Sequence, residues 1–115
     1  MKLAVQIAAV LGFLGVALGA FGAHKLKDIL TANNALTIWQ TAVLYQLVHA
    51  VASLWAAERN PTVVWFWAVG VAFFSGSLYV LALAPSASKW IWPVTPLGGL
   101  FFLIGWAVLV FKPKM

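Results

Sequence analysis

Apolar residues run in four long stretches, each closed by a short polar break. Leu3 to Ala23 is the first, with Gln6 its one polar side chain. His24 to Ala35 breaks it, with Lys25, Lys27 and Asp28 on one side of a helix and Leu26, Ile29 and Leu30 on the other. Leu36 to Ala57 is the second stretch, ended by Glu58-Arg59-Asn60-Pro61. Thr62 to Ala84 is the third, and Pro85 to Thr95 reads as a loop. Leu97 to Phe111 is the fourth, closed by Lys112 and Lys114. A spanning helix needs about 20 mostly apolar residues. The pattern therefore predicts an all-α, four-transmembrane-helix bundle in one membrane domain over 1–115. The helices fall at about 3–23, 36–57, 62–84 and 97–111, joined by short loops. The amphipathic break after the first helix is expected to lie in the interface. Asn60 and Thr95 are expected N-caps, with Pro61 and Pro96 opening the helices behind them. The last stretch is short for a crossing, so it begins earlier, tilts, or sits where the bilayer is thin. The first stretch exceeds the roughly 7–15 apolar residues of a secretory signal and is read as a retained helix.

Composition agrees with this threading. The chain is 64% hydrophobic and 8% charged, with a mean hydropathy of +1.01. Soluble domains carry about 25% charged residues, so a water-soluble globule is excluded. The net charge of +5 reflects scarce acids. The basic residues are scattered, which does not suit nucleic acid but does suit anionic lipid headgroups. With no cysteine, disulfides, thiol nucleophiles and thiolate metal sites are absent. Four crossings place both termini on one side with Lys2, Arg59, Lys112 and Lys114. Lys25, Lys27 and Lys89 fall on the other side, so the positive-inside rule puts the termini in the cytoplasm. Trp55, Trp65 and Trp67 fall at the terminus level and Trp39, Trp90 and Trp92 at the opposite level, as two aromatic belts. Trp106 lies deeper and fits neither.

Two stripes stand out. Gly12, Gly15, Gly19 and Gly22 line one face of the first helix, where small residues let a neighbouring helix approach closely. On the second helix Thr37, Thr41, Tyr45, His49 and Ser53 recur every four residues, with Gln40 and Gln46 beside them. Each such step drifts about 40° around the helix, giving a slanted polar stripe. The third helix adds Ser75 and Tyr79 on one face and Ser77 on another. Depth matching brings Ser75 within a turn of Gln46, and His24 level with Gln40 and Thr41. An ionisable group at membrane depth is costly and marks a site by default, so His24, Thr41, Tyr45, Gln46, His49, Ser75 and Tyr79 form the candidate polar site. His49 reads first as a neutral hydrogen-bonding tie between helices at roughly 0.6 kcal/mol per bond, and second as a proton relay. No cofactor is expected. A His24–His49 metal pair is not expected either, since the two lie at different depths without a carboxylate or thiolate nearby.

A resemblance joins these features. Gly19-Ala20-Phe21-Gly22-Ala23-His24 closes the first helix, and Tyr45-Gln46 precedes His49-Ala50 in the second. Phe74-Ser75-Gly76-Ser77-Leu78-Tyr79 follows in the third, then Thr95-Pro96-Leu97-Gly98-Gly99. In this order the motifs resemble those of the YgdD-like small inner-membrane proteins, a family catalogued as a domain of unknown function. The resemblance spans nearly the whole chain. It implies a compact four-helix protein of the bacterial inner membrane and implies no activity.

Three functional classes are open. The first is a bundle that works by association, as a homo-oligomer or with other membrane proteins or lipids. The second is a small proton- or solute-conducting transporter or channel lined by Tyr45, Gln46, His49, Ser75 and Tyr79, which needs an oligomer to enclose a path. The third, an intramembrane enzyme, has only Ser75 near His49 as a dyad and no acid at that depth to orient the imidazole. An enzyme is therefore not expected.

Overall fold

A computed structural model describes residues 2–113. Those residues are helical almost throughout, as an apolar solvent requires. A backbone in hydrocarbon has no water to bond, so its N–H and C=O groups must pair within their own segment. α1 spans Lys2–Ala23 and α2 spans Lys27–Ala32. α3 spans Leu36–Ala56. The third rod is α4 (Pro61–Gly70), a π-helical turn (Val71–Ser75) and α5 (Gly76–Leu83). A 3₁₀ turn (Pro85–Ala87) and α6 (Ser88–Ile91) lead into α7 (Val94–Phe111).

Four long rods therefore stand where the hydropathy pattern places them. Three of them, Lys2–Ala23, Pro61–Leu83 and Val94–Phe111, are both long and apolar enough to cross a membrane. α3 matches them in length, at 21 residues, but its polar stripe makes it less apolar. The molecule is 47 Å along its longest axis, close to the roughly 40–45 Å of a bilayer with its headgroups.

Local chemistry differs from expectation in several places. Pro61 opens α4, but the Asn60 side chain makes no capping bond. Its amide donates instead to the Lys112 carbonyl at 3.3 Å, tying the start of α4 to the end of α7. α7 starts at Val94 without a side-chain cap, and the Thr95 hydroxyl pairs with Ser77 on α5. The stretch after Leu83 is not open loop, because Pro85 initiates a 3₁₀ turn that Ser88–Ile91 continues as helix. α2 has the amphipathic form expected of it: Leu30 is buried and Lys27 and Asp28 are exposed, but Ile29 also faces outward. Asn33 at its end donates to the Ala82 carbonyl on α5 at 2.9 Å. Asn34, at φ 55°, makes the left-handed turn into α3.

The most extensive pairings are α1 with α3 and α4 with α7. Glycine makes both close. Gly15 faces the Leu47 side chain, where a Cβ would stand 2.6 Å from Cδ2, and at Gly22 a Cβ would run into the Trp39 indole. On α7, a Cβ at Gly98 would overlap the backbone of Phe73 and Phe74 in the π turn. Gly105 makes room for the Trp67 indole.

Two apolar clusters result. One packs Ala4, Ala56, Val63, Val64, Trp67 and Phe102, and the other packs Leu30, Ala35, Trp39 and Ala82. Trp39 and Trp67 are thus core residues rather than belt residues. Their indole N–H groups donate to the carbonyls of Leu18 at 2.9 Å and Phe102 at 3.2 Å. Trp55, Trp65, Trp90 and Trp92 are exposed, as belts require.

Candidate functional site

Along α3 and the third rod, the polar side chains lie between the two apolar clusters. The buried face of α3 is Trp39, Ala42, Gln46, His49, Ser53 and Ala56. Its spacing alternates three and four, the period that keeps residues on one face of a packed helix. The expected four-residue stripe drifts off this face. Gln46, His49 and Ser53 are buried, Thr41 is half-buried, and Thr37, Gln40 and Tyr45 are exposed.

Gln46 is the first hub. Its Nε2 donates to the Leu11 carbonyl of α1 at 2.9 Å. Its Oε1 accepts from the Tyr79 hydroxyl of α5 at 2.7 Å. One amide thus ties three rods. One turn away, the buried Ser75 hydroxyl donates to the Ala42 carbonyl at 2.7 Å. The Tyr79 ring rests on Trp39 with centroids 4.7 Å apart.

His49 is the second hub. Nδ1 lies 2.7 Å from the Tyr45 carbonyl, and Nε2 lies 3.0 Å from the Trp106 indole nitrogen. A carbonyl only accepts and an indole N–H only donates. Nδ1 therefore carries the hydrogen and Nε2 is bare, which defines one tautomer of a neutral ring. The ring stacks on Phe102 at 3.8 Å between centroids and meets Trp67 edge-on at 5.5 Å. Trp106, deep in α7 and outside either belt, is the donor that completes it.

Ser75 and His49 therefore point to different partners and do not form a pair. His24 is exposed at the end of α1, and with Thr41 it stands apart from both hubs among the described residues. Lys114 lies outside the described residues. No three His, Cys, Asp or Glu side chains among the described residues come together to hold a metal. Buried without a hydrogen-bond partner are Ser53 Oγ and Asn60 Oδ1.

Sequence reading missed Trp106, Phe102 and Trp67 around His49, and Asn33 and Asn60 at the rod ends. Trp106 did carry a signal. An indole at mid-membrane depth needs an acceptor for its N–H, and His49 offers one.

Residues 18–99 match the family model described as "Protein of unknown function (DUF423)". The chain belongs to the DUF423 family. Among DUF423-type relatives, a UPF0382 membrane protein of Staphylococcus saprophyticus is 38% identical, over 96% of this chain and 95% of its own. One from Staphylococcus aureus is 36% identical, over 96% and 93%. The UPF0382 inner membrane protein YgdD of Escherichia coli K12 is 43% identical, over 90% of this chain and 82% of its own. No solved structure matches the chain. The family model takes in Trp39, Gln46, His49, Ser75 and Tyr79, whereas Leu11, Phe102 and Trp106 lie beyond it and within the fuller match to the staphylococcal relatives. This DUF423 member is a membrane protein, as its relatives are named.

Proposed function

We propose that the chain crosses a bacterial inner membrane four times, with α3 as the fourth span, and that it acts by association. It assembles with further copies of itself or with other membrane components. It neither conducts nor catalyses. The observation that carries this reading is how the polar layer is occupied. Gln46, Tyr79, Ser75, His49 and Trp106 all direct their hydrogen bonds to one another or to helix carbonyls. Side chains committed in this way tie helices, and a conducting path needs such groups open to water. α3 fits a span because its buried polar groups, Gln46, His49 and Ser53, face other rods, where membrane proteins place them.

The absence of cysteine makes accessibility a direct test. Ser75→Cys is expected to resist a membrane-impermeant maleimide in intact membranes and to react once the protein is unfolded. Labelling in the folded protein would show water at mid-membrane and make conduction the better reading. Particle mass in detergent tests assembly directly. More than one copy per particle is expected, and a strictly monomeric particle would sink self-association.

A further inference from the structure

The groove between α3 and α7 carries an inference that rests on the four-crossing reading above, which sets Arg59 at headgroup level. We propose that this groove seats an anionic phospholipid. Arg59 holds its phosphate at the mouth, and one acyl chain lies along Trp55 and Trp106.

Arg59 is the single arginine of the chain, and it is held in place. Nη1 donates to the Trp55 carbonyl at 2.9 Å, and the guanidinium carbon stands 4.4 Å from the centroid of the Trp55 ring. A guanidinium has five N–H donors, and the Trp55 carbonyl takes one. The planar fork that remains matches a phosphate, and holding it in place in advance lowers the entropy cost of binding. A second cation stands at the same end. Asn60, the next residue, donates to the backbone of Lys112 and so keeps the α7 terminus beside Arg59.

Below this mouth lies a hollow of about 400 Å³ lined by Ala52, Trp55, Trp67, Trp106, Leu109 and Val110. The wall is almost wholly apolar. It exists because the α3 and α7 backbones hardly approach each other and rings fill the gap between them, Trp106 reaching across to His49. Beyond Trp106 the same face continues as a second hollow of about 330 Å³, lined by Leu44, Tyr45, Val48, His49 and Trp106. A largely apolar trough with a cation at one end has the polarity of a single phospholipid chain under its headgroup. A second copy fits this face less well. The chain has a net charge of +5 and only Asp28 and Glu58 as acids, so another copy mostly meets Arg59 and Lys112 with like charge.

The test uses the purified full chain, stripped of lipid and offered equal amounts of phosphatidylglycerol and phosphatidylcholine, with retained lipid read by native mass spectrometry. Phosphatidylglycerol is expected to be retained about fivefold over phosphatidylcholine, the scale of one headgroup contact to a cation. Arg59→Gln removes that preference and Arg59→Lys restores most of it. Val110→Trp, which fills the trough from its exposed edge, lowers retention of both lipids. Equal retention by the wild type, or an undiminished preference in Arg59→Gln, overturns the proposal. Displacement of the lipid by inorganic phosphate would make this a free-anion site and overturns it too. A change in copies per particle in Val110→Trp, with lipid retention intact, would make the trough a protein interface and have the same effect. Loss of lipid preference with Ser75→Cys still unlabelled refutes the lipid seat alone. Labelled Ser75→Cys refutes the non-conducting reading of the polar layer and leaves the lipid result standing.

Discussion

His49 bonds through both ring nitrogens and is stacked on a third side, so its removal and the removal of one partner have different costs. Trp106→Phe deletes one donor and leaves a bare Nε2, at roughly 0.6–1.7 kcal/mol for an interhelical bond in a membrane. His49→Ala leaves the Trp106 N–H without an acceptor and opens a hollow beneath Phe102, at about 2–4 kcal/mol. Unfolding in mixed micelles is expected to rank His49→Ala well below Trp106→Phe, and equal losses would refute the described geometry. Apart from Trp106, the donors of this layer were legible in the sequence, since Gln46, His49, Ser75 and Tyr79 are conspicuous in apolar surroundings. Most of their acceptors were not, because a main-chain carbonyl such as that of Leu11 or Ala42 belongs to every residue. Tyr45 was placed with them by a four-residue period, but the packed face runs in threes and fours. The drift of about 40° per step carries Tyr45 and Thr37 outward.

Among whole elements, apolar run length set the rods to within a few residues, and Pro61 marks a true helix start. Caps were not legible, because Asn60 and Thr95 have the right chemistry and a different use. Each ties its helix to another rod, and nothing local in a sequence says which donor or acceptor arrives from afar. The π turn was equally hidden. In it the Gly76 N–H reaches back five residues to the Val71 carbonyl, in the segment where Gly98 of α7 meets backbone. Turns of this kind are rare and are selected by packing. Two glycines separate packing from propensity. Gly98→Ala would drive a methyl into main chain that no rotamer can move aside, so a loss of about 1–3 kcal/mol is expected. At Gly76 the nearest atom to an added Cβ is 3.9 Å away, so Gly76→Ala should melt at or above the wild-type temperature. Parallel melting curves in detergent read both. A tolerated Gly98→Ala would mean that α7 and the π turn are further apart than described.

For the whole molecule, charge at the rod ends decides which way it sits. Lys2, Arg59 and Lys112 share one end with Glu58, while Lys25, Lys27 and Lys89 occupy the other with Ser88. With Lys114, which the sequence assigns to the first end, the count is four basic residues against three, and the positive-inside bias favours that end in the cytoplasm. In intact spheroplasts, Ser88→Cys is expected to react with an impermeant maleimide and Glu58→Cys only after lysis, and the reverse pattern would invert the topology. The membrane class was legible from composition alone. How the four rods group around two apolar clusters was not, since lipid-facing and core-facing residues are equally apolar in such a chain and only the small and polar residues tell them apart. The ties at Leu11, Leu18, Ala42, Ala82 and Phe102 all end on main-chain oxygen. Only one half of each tie is therefore written in side chains. Across a saturating mutational library, the donor positions should accept almost no replacement, while the acceptor positions should tolerate any residue of similar volume. Pairwise coevolution would then miss these five ties and find only those with side chains at both ends, Gln46 with Tyr79, His49 with Trp106 and Ser77 with Thr95.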